Sequence, residues 1–182
     1  MDKFIKELPV SILLGLWGGN GEVTLNDLVA AKLRIYLKDY PSYNLFVRKS
    51  ISGNNIPDCI ITKNNELYSI FEFKKESTLD SIKGALCQML CYIKRAYKNS
   101  IVPFKHLIVW TPEYVVTFDW DTIELLYENF KLHYDNSTPS KYWNKAPKDV
   151  KYLFSNIECM WENKYYFNDS LDFNKLTRKL VA

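Results

Sequence analysis

The sequence predicts an α/β domain in which helices flank a mixed β-sheet. Three observations favour this class. Apolar runs typical of strands occupy residues 43–51, 56–62 and 66–75. A helical stripe follows over residues 78–98, and a second pair of strand-like runs then precedes another amphipathic segment. The resulting order is a helix, three strands, a helix, two strands and a helix, which is typical of a sandwich around one sheet.

The amino-terminal part combines an apolar segment with a glycine-rich loop. Residues 1–17 are expected to form a short helix or strand, and "GLWGGNG" (15–21) a loop. Thr24 is predicted to cap the first helix, with Asp27 at the third helical position, as in the carboxylate variant of a capping box. The helix itself is expected over roughly residues 25–39 and ends before a proline.

Two of the three central strands form a predicted hairpin. The runs "IPDCIIT" and "ELYSIFEFKK" flank Lys63-Asn64-Asn65, which suits a short turn. The helix over residues 78–98 carries one apolar stripe at steps of three and four, formed by Leu79, Ile82, Leu86, Met89 and Ile93.

The remaining elements follow in the same way. "HLIVW" (106–110) and "YVVTFDW" (114–120) are predicted strands around a turn, and a helix over 121–134 is expected to be capped by Asp121. Beyond Pro139 the chain is rich in aromatic residues, and its pattern predicts no geometry.

Composition restricts the class of function. The 182 residues, 47% hydrophobic, suit a single domain spanning residues 1–182. A net charge of +3 permits a polyanionic partner without demanding one.

The apolar run 10–17 is too short to span a bilayer, so no membrane partner is expected. The four cysteines form no C-x-x-C pair, which indicates reduced thiols inside a cell, in the cytoplasm or nucleus. Only two histidines are present, which disfavours a zinc site.

Charged residues inside the hairpin point to a site. Glu72 and Lys74 are two residues apart, so in a strand they share a face. Pairing across the hairpin would bring Asp58 close to Glu72, and two adjacent carboxylates repel unless a cation lies between them. Oxygen ligands without His or Cys favour Mg²⁺ or Mn²⁺. A nearby lysine can bind a phosphate oxygen or orient water, as phosphodiester hydrolysis requires.

The spacing of these residues resembles that of a known superfamily. Pro57-Asp58, thirteen intervening residues and Glu72-Phe73-Lys74 are similar to the motif of the PD-(D/E)XK nucleases, which have a restriction-endonuclease-like fold. The resemblance implies an α-β-β-β-α-β core over about residues 22–120, followed by an extension, 121–182. It also implies a metal ion bound by Asp58, Glu72 and the Phe73 carbonyl, with Lys74 acting on the attacking water.

The motif has alternatives within this chain. Glu162-Asn163-Lys164 is also an E-x-K triplet and Asp149-Val150-Lys151 a D-x-K triplet, but neither follows a Pro-Asp strand. The simpler interpretation of Glu72 and Lys74 is a solvated pair on an edge strand.

The helix after the hairpin adds a second motif. Gly84, Gln88, Tyr92 and Arg95 lie at steps of four, four and three, on one face. Glycine there would let a backbone or phosphate approach closely. Gln88-x-x-x-Tyr92 is similar to the Q-x-x-x-Y motif of RecB-like members of the superfamily, which implies a catalytic role for Gln88 and substrate contact for Tyr92. The alternative is an ordinary solvent-exposed face.

Other charged residues complete the predicted site. Many superfamily members carry an acid near the start of the first helix, a position that Asp27 or Glu22 would fill here; Asp27, on the helix, is preferred, although its role could be confined to capping. Lys75, Lys83 and Arg95 are predicted to attract a phosphate backbone. The alternative is that basic residues at a helix end serve the helix dipole.

The sequence therefore predicts a Mg²⁺- or Mn²⁺-dependent nuclease, with DNA the expected substrate. Two alternatives stay open. One is a catalytically inactive domain of the same fold that binds nucleic acid or a protein. The other is an interaction module that uses the aromatic carboxyl-terminal third. The small net charge of +3 and the lack of an appended DNA-reading domain also hint that the nuclease works as a homodimer or with a protein partner.

Overall fold

The structure, a computed structural model, describes residues 22–97, 104–166 and 173–182. Its centre is a six-stranded mixed sheet whose strands lie in sequence order. The predictions for residues 1–17 and for the glycine-rich loop fall outside the described residues. The elements are α1 (Glu22–Leu37), β1 (Tyr43–Val47), β2 (Cys59–Lys63), β3 (Glu66–Phe73), α2 (Leu79–Tyr97), β4 (His106–Trp110), β5 (Tyr114–Asp119), α3 (Trp120–His133), α4 (Pro139–Lys145), α5 (Lys148–Leu153), a 3₁₀ turn (Ile157–Met160), β6 (Asn163–Tyr166) and α6 (Phe173–Leu180).

One strand pair in the sheet is parallel and the others are antiparallel. β3 pairs with β4 in parallel register, and α2 connects them, as a parallel pair requires a crossover. The other pairs are β1–β2, β2–β3, β4–β5 and β5–β6. The predicted α/β class with a mixed sheet is therefore confirmed.

The hairpin between β2 and β3 closes at the predicted position, but Lys63 pairs with Glu66 and belongs to β2, so the loop has two residues and not three. Asn64 and Asn65 form the two-residue loop, with φ of 51° and 68°. Asparagine tolerates positive φ, and a loop with both residues there matches the twist of the flanking strands. The register slips by one residue between Ile61 and Thr62, so Tyr68 is the extra residue of a β-bulge. The bulge turns Leu67 toward the same side of the sheet as Ile70.

Helices cover both faces of the sheet. On one face, α2 packs with α3, α4 and α5 over apolar residues of β2 to β5. On the other face, α1 and α6 pack over the alternate residues of the same strands, including Ile61, Phe71 and Ile108. The strands are therefore buried on both sides, which explains their nearly continuous apolar sequences.

Two predicted helix caps are wrong. α1 begins at Glu22, so Thr24 lies inside the helix and not at its cap. α3 begins at Trp120 with Asp119 at the N-cap position, and Asp121 lies in its first turn. In α2 the expected start is found: Thr78 precedes the helix, and its hydroxyl accepts the Ser81 amide at 3.1 Å.

The carboxyl-terminal residues that the sequence left unassigned join the same core. β6 extends the sheet beside β5, and Phe173, Leu176 and Leu180 of α6 are buried in the cluster that contains α1. Trp143 of α4 packs against α2 and donates its indole N–H to Asp80 at 3.0 Å. Among the helices in the described ranges, none is both long and apolar enough to span a bilayer.

Candidate active site

Asp58 and Glu72 meet at one end of the hairpin. Cys59 pairs with Phe71 across the two strands, so the antiparallel register, continued by one residue, sets Asp58 opposite Glu72. The Asp58 carboxylate accepts the backbone N–H of Phe73 at 2.8 Å. This bond holds the Asp58 carboxylate beside the peptide bond between Glu72 and Phe73.

Glu72 is a buried carboxyl group on a central strand. β3 lies between β2 and β4, and Glu72 is only 2% exposed, so the interpretation as a solvated edge-strand pair is wrong. Burial raises its pKa well above the usual value, and the nearby Asp58 carboxylate raises it further, while Lys74 opposes the rise. Within the described part of the chain, Glu72 Oε1 has no hydrogen-bond partner. An unsatisfied buried carboxylate oxygen is costly, and a bound cation would relieve it.

Lys74 lies just beyond the end of β3 and turns its ammonium group back toward the carboxylates. Its backbone N–H donates to the Trp110 carbonyl at 2.8 Å, which fixes the point where the strand ends. Its Nζ is 3.5 Å from Glu72 Oε2 and donates to Gln88 Oε1 at 2.9 Å. The side chain is 25% exposed, so the ammonium group can meet a ligand from solvent.

Gln88 and Tyr92 continue this chain of contacts along α2. Gln88 uses its amide oxygen for Lys74 and its amide nitrogen to donate to Tyr92 Oη at 2.7 Å. Burial raises the pKa of Tyr92 above its usual value, and the Glu72 carboxylate raises it further, so the phenol keeps its proton. Tyr92 is 6% exposed, which excludes the interpretation of these residues as an ordinary solvent face.

The donor set fits a hard divalent cation. The available protein oxygens are the Asp58 and Glu72 carboxylates and the Phe73 carbonyl, a set that suits Mg²⁺ or Mn²⁺ and not zinc. Over the described ranges, no group of three or more His, Cys, Asp or Glu side chains is arranged to hold a metal. The remaining ligands would therefore have to come from water and from substrate, as is usual for Mg²⁺.

Asp27 lies on α1, which packs on the face of the sheet opposite to that of α2, Gln88 and Tyr92. It is exposed on α1. The pKa of the Cys59 thiol is raised to about 12 by burial first, with smaller contributions from Asp58 and Asp27. Asp27 is thus close to the start of β2. Because Thr24 is not the N-cap of α1, Asp27 is not the third residue of a capping box. The Glu22 side chain lies outside the described residues.

Only some of the residues predicted to contact nucleic acid lie close to the candidate site. Lys75 is exposed directly after Lys74. Arg95 lies in the last turn of α2, near Tyr134. Burial raises the pKa of the Tyr134 phenol, and the positive charge of Arg95 opposes that rise. Lys83 lies five residues before Gln88, about 140° around the helix from it, because each residue turns an α-helix by about 100°. The structure does not group Lys83 with the other predicted residues.

Gly84 has a different role from the one expected. A Cβ atom at this position would lie 3.2 Å from Cδ1 of Trp143. The glycine therefore makes room for the indole of α4 and not for a phosphate or a substrate backbone. This contact joins residues far apart in the sequence, so no local pattern could have predicted it.

Sequence reasoning missed a basic pair beside Asp58. Arg48 has a positive φ of 48°, unusual for a residue other than glycine, and its backbone N–H donates to the Asp58 carbonyl at 2.9 Å. The neighbouring Lys49 is exposed, and its Nζ lies 3.7 Å from the centre of the Phe46 ring. The available signal was two consecutive basic residues directly after a strand and before a loop containing Gly53.

The alternative E-x-K triplet lies elsewhere. Glu162 directly precedes β6. Its carboxylate forms an ion pair with Lys179, and its Oε2 lies 3.5 Å from Nδ1 of His106. Lys164 lies over the rings of Tyr114, Trp161 and Tyr166. Comparisons of the chain with protein-family models, with curated proteins and with solved structures returned no match.

Proposed function

We propose that this protein is a divalent-metal-dependent nuclease that hydrolyses phosphodiester bonds, with DNA as the expected substrate. The single observation that carries the proposal is the continuous series of contacts from Asp58 through Glu72 and Lys74 to Gln88. Asp58 directly precedes β2, Glu72 lies on β3, Lys74 directly follows β3 and Gln88 lies on α2. The four residues follow the order of the PD-(D/E)XK and Q-x-x-x-Y motifs. A restriction-endonuclease-like fold is part of the same proposal.

The acidic pair is suited to holding the cation. Asp58, Glu72 and the Phe73 carbonyl would bind Mg²⁺ or Mn²⁺, and the bound ion supplies Lewis-acid chemistry, because it lowers the pKa of a bound water and offsets the charge on the phosphate. The Phe73 N–H holds the Asp58 carboxylate beside the Glu72-Phe73 peptide bond. The spare Glu72 Oε1 and the raised pKa of Glu72 both indicate a carboxylate pair that a cation would stabilise.

Lys74 supplies a positive charge that does not depend on the cation. Gln88 and Glu72 hold its ammonium group at the edge of the site, partly open to solvent. From there it can orient a water molecule and stabilise negative charge that develops on the phosphate. Gln88 is itself oriented by Tyr92, so its amide oxygen faces Lys74.

An inactive domain of the same fold is the second candidate, favoured by one observation. Among the described residues, no third acidic side chain joins Asp58 and Glu72 in a group that could hold a metal, so Asp27 does not complete the set. A domain of this kind would bind nucleic acid equally well with and without divalent metal.

The test is an incubation of the purified chain with supercoiled plasmid, linear duplex, single-stranded DNA and RNA. Each substrate is incubated with Mg²⁺, with Mn²⁺ and with EDTA, and an Asp58→Asn variant prepared in parallel serves as the contamination control. The proposal expects cleavage of at least one substrate that EDTA stops, that added metal restores and that the variant lacks. Cleavage by the variant at the wild-type rate would refute it.

A further inference from the structure

A cavity of about 420 Å³ opens on the same side of the sheet as the candidate active site. Its floor is formed by Ile60 and Thr62 of β2 and Leu67 of β3, and its far wall by Tyr97 at the end of α2. The loop after β1 forms the near wall through Lys49, Ser50 and Ile51. Its volume lies within the range of about 300–1,000 Å³ that is typical of small-molecule sites.

The cavity lies on the same face of the sheet as the site, further along β2. Alternate residues of a strand share a face, so Ile60 and Thr62 of β2 form one row, and Asp58 stands at its end, directly before the strand. Asp58 belongs to the active site, while Ile60 and Thr62 line the cavity. At about 3.3 Å per residue, the four steps from Asp58 to Thr62 span about 13 Å. A polymer bound at Asp58 therefore reaches the cavity within a few of its repeating units.

The walls combine an aromatic ring with aliphatic surface and polar groups, among them the Glu66 carboxylate near Tyr97. Tyr97 packs edge-on against Phe104, with 5.2 Å between ring centres, which holds its ring in place. Ile51, Ile60 and Leu67 supply the aliphatic surface. The Thr62 hydroxyl is buried and has no hydrogen-bond partner within the described residues. Such walls suit a planar ring with a polar edge.

The rim on the side of the active site is basic. Arg48, beside Asp58, and Lys49, at the cavity, are both exposed. Lys49 has its ammonium group placed over the Phe46 ring. Two adjacent cations between the carboxylates and the cavity suit the phosphates of a strand that runs from one to the other.

We propose that this cavity binds an unpaired nucleobase of the strand that is cut, which stacks on Tyr97 while Arg48 and Lys49 hold the intervening phosphates. This rests on the proposed function, and it specifies the substrate class. A paired base lies inside the duplex and cannot enter a pocket without leaving its stack. The preferred substrate is therefore a strand that is unpaired next to the scissile phosphate.

The test measures binding in EDTA, where cleavage cannot interfere. A short fluorescent single strand carries 2-aminopurine at one position, which is moved along the strand in successive probes. Wild type is compared with Tyr97→Leu, which removes the ring, and Tyr97→Phe, which keeps it. The matched control is Tyr152→Leu, because Tyr152 is 78% exposed and lies on α5, away from the cavity. If Tyr97→Leu does not fold, an Ile51→Trp variant is tested instead, because a tryptophan at this loop position would fill the cavity.

The expected result is a loss of affinity of about ten-fold or more in Tyr97→Leu, with little change in Tyr97→Phe and Tyr152→Leu. One probe position should show stacking of 2-aminopurine in wild type that the Leu variant loses. Wild-type affinity in Tyr97→Leu, or in a folded Ile51→Trp, would overturn the inference, as would equal affinity for a fully paired duplex. If wild type cuts DNA but fails these tests, only this inference fails; if wild type neither binds nor cuts, the proposed function fails with it.

Discussion

The Lys74 ammonium group donates a hydrogen bond to the Gln88 amide oxygen, at 2.9 Å between Nζ and Oε1. The bond joins the end of a central strand to the middle of the helix that follows it. The same ammonium group lies 3.5 Å from Glu72 Oε2, so one lysine links the buried carboxylate to the helix. This arrangement gives each residue a separate and testable role.

Metal binding should appear as a gain in thermal stability. Mg²⁺ or Mn²⁺ at about one hundred times its dissociation constant would add about 2.7 kcal/mol to the free energy of unfolding. For a chain of this size, that raises Tm by several degrees. Glu72→Gln should abolish the increase, as measured by thermal unfolding with and without metal.

The same variant should be more stable than wild type in EDTA, because it removes a carboxylate that is buried beside another. Glu162→Gln is the control: it removes the acid of the other E-x-K triplet, so its response to metal should equal that of wild type. An undiminished metal response in Glu72→Gln would show that the ion binds elsewhere.

Gln88 should act through Lys74 and not by contact with the substrate. Gln88→Ala frees the lysine, so kcat should fall by about 10- to 100-fold, as for other residues that orient catalytic groups. KM should change much less. Tyr92→Phe removes only the acceptor for the Gln88 amide nitrogen and should have a smaller effect. Steady-state kinetics distinguish the cases, and a change confined to KM in Gln88→Ala would argue for substrate binding instead.

The contact between Gly84 and Trp143 should be visible as energetic coupling. Alanine normally stabilises a helix interior relative to glycine by about 1 kcal/mol. Here the added Cβ would lie 3.2 Å from the indole, so the gain should be lost or reversed. In a Trp143→Leu background the same substitution should stabilise the protein. Denaturant unfolding of the four proteins should give a coupling energy of about 0.5–3 kcal/mol; additive effects would contradict the contact.

His106 should make stability depend on pH. It is 2% exposed, and burial lowers its pKa below 6.5, although Glu162 and Asp119 oppose the change. The folded protein thus binds fewer protons than the unfolded chain between the lowered pKa and 6.5. Its contribution to stability is therefore present above that range and is lost as pH falls through it.

Replacing His106 by Gln should flatten this part of the stability curve, measured as the free energy of unfolding against pH. His133→Gln, which removes an exposed imidazole at the end of α3, is the control. An unchanged slope in His106→Gln would mean that another group titrates there.

The sequence predicted the features that depend on local pattern. The Asn64-Asn65 turn, which the sequence predicted, sets Lys63 opposite Glu66. The β-bulge at Tyr68, which it did not predict, shifts the register by one residue and so brings Asp58 opposite Glu72. The short helices after Pro139 could not be predicted because α4 has only seven residues, too few to show a period.

Features that depend on tertiary contact were missed. Gly84 faces an indole 59 residues away, and Arg48 is placed by a backbone hydrogen bond to Asp58. For both residues the deciding partner lies outside the window in which a sequence pattern can be read. The predicted Thr24 cap is wrong because the helix begins two residues earlier, at Glu22.

The most direct test of the central claim compares two lysines in matched triplets. Lys74→Met and Lys164→Met each remove the lysine of an E-x-K sequence, but only Lys74 contacts Glu72 beside Asp58. The measurement is the rate of metal-dependent cleavage of the preferred substrate by folded, purified proteins. The account predicts a loss of at least about 100-fold for Lys74→Met and a rate near that of wild type for Lys164→Met. Equal activity in the two variants would contradict it.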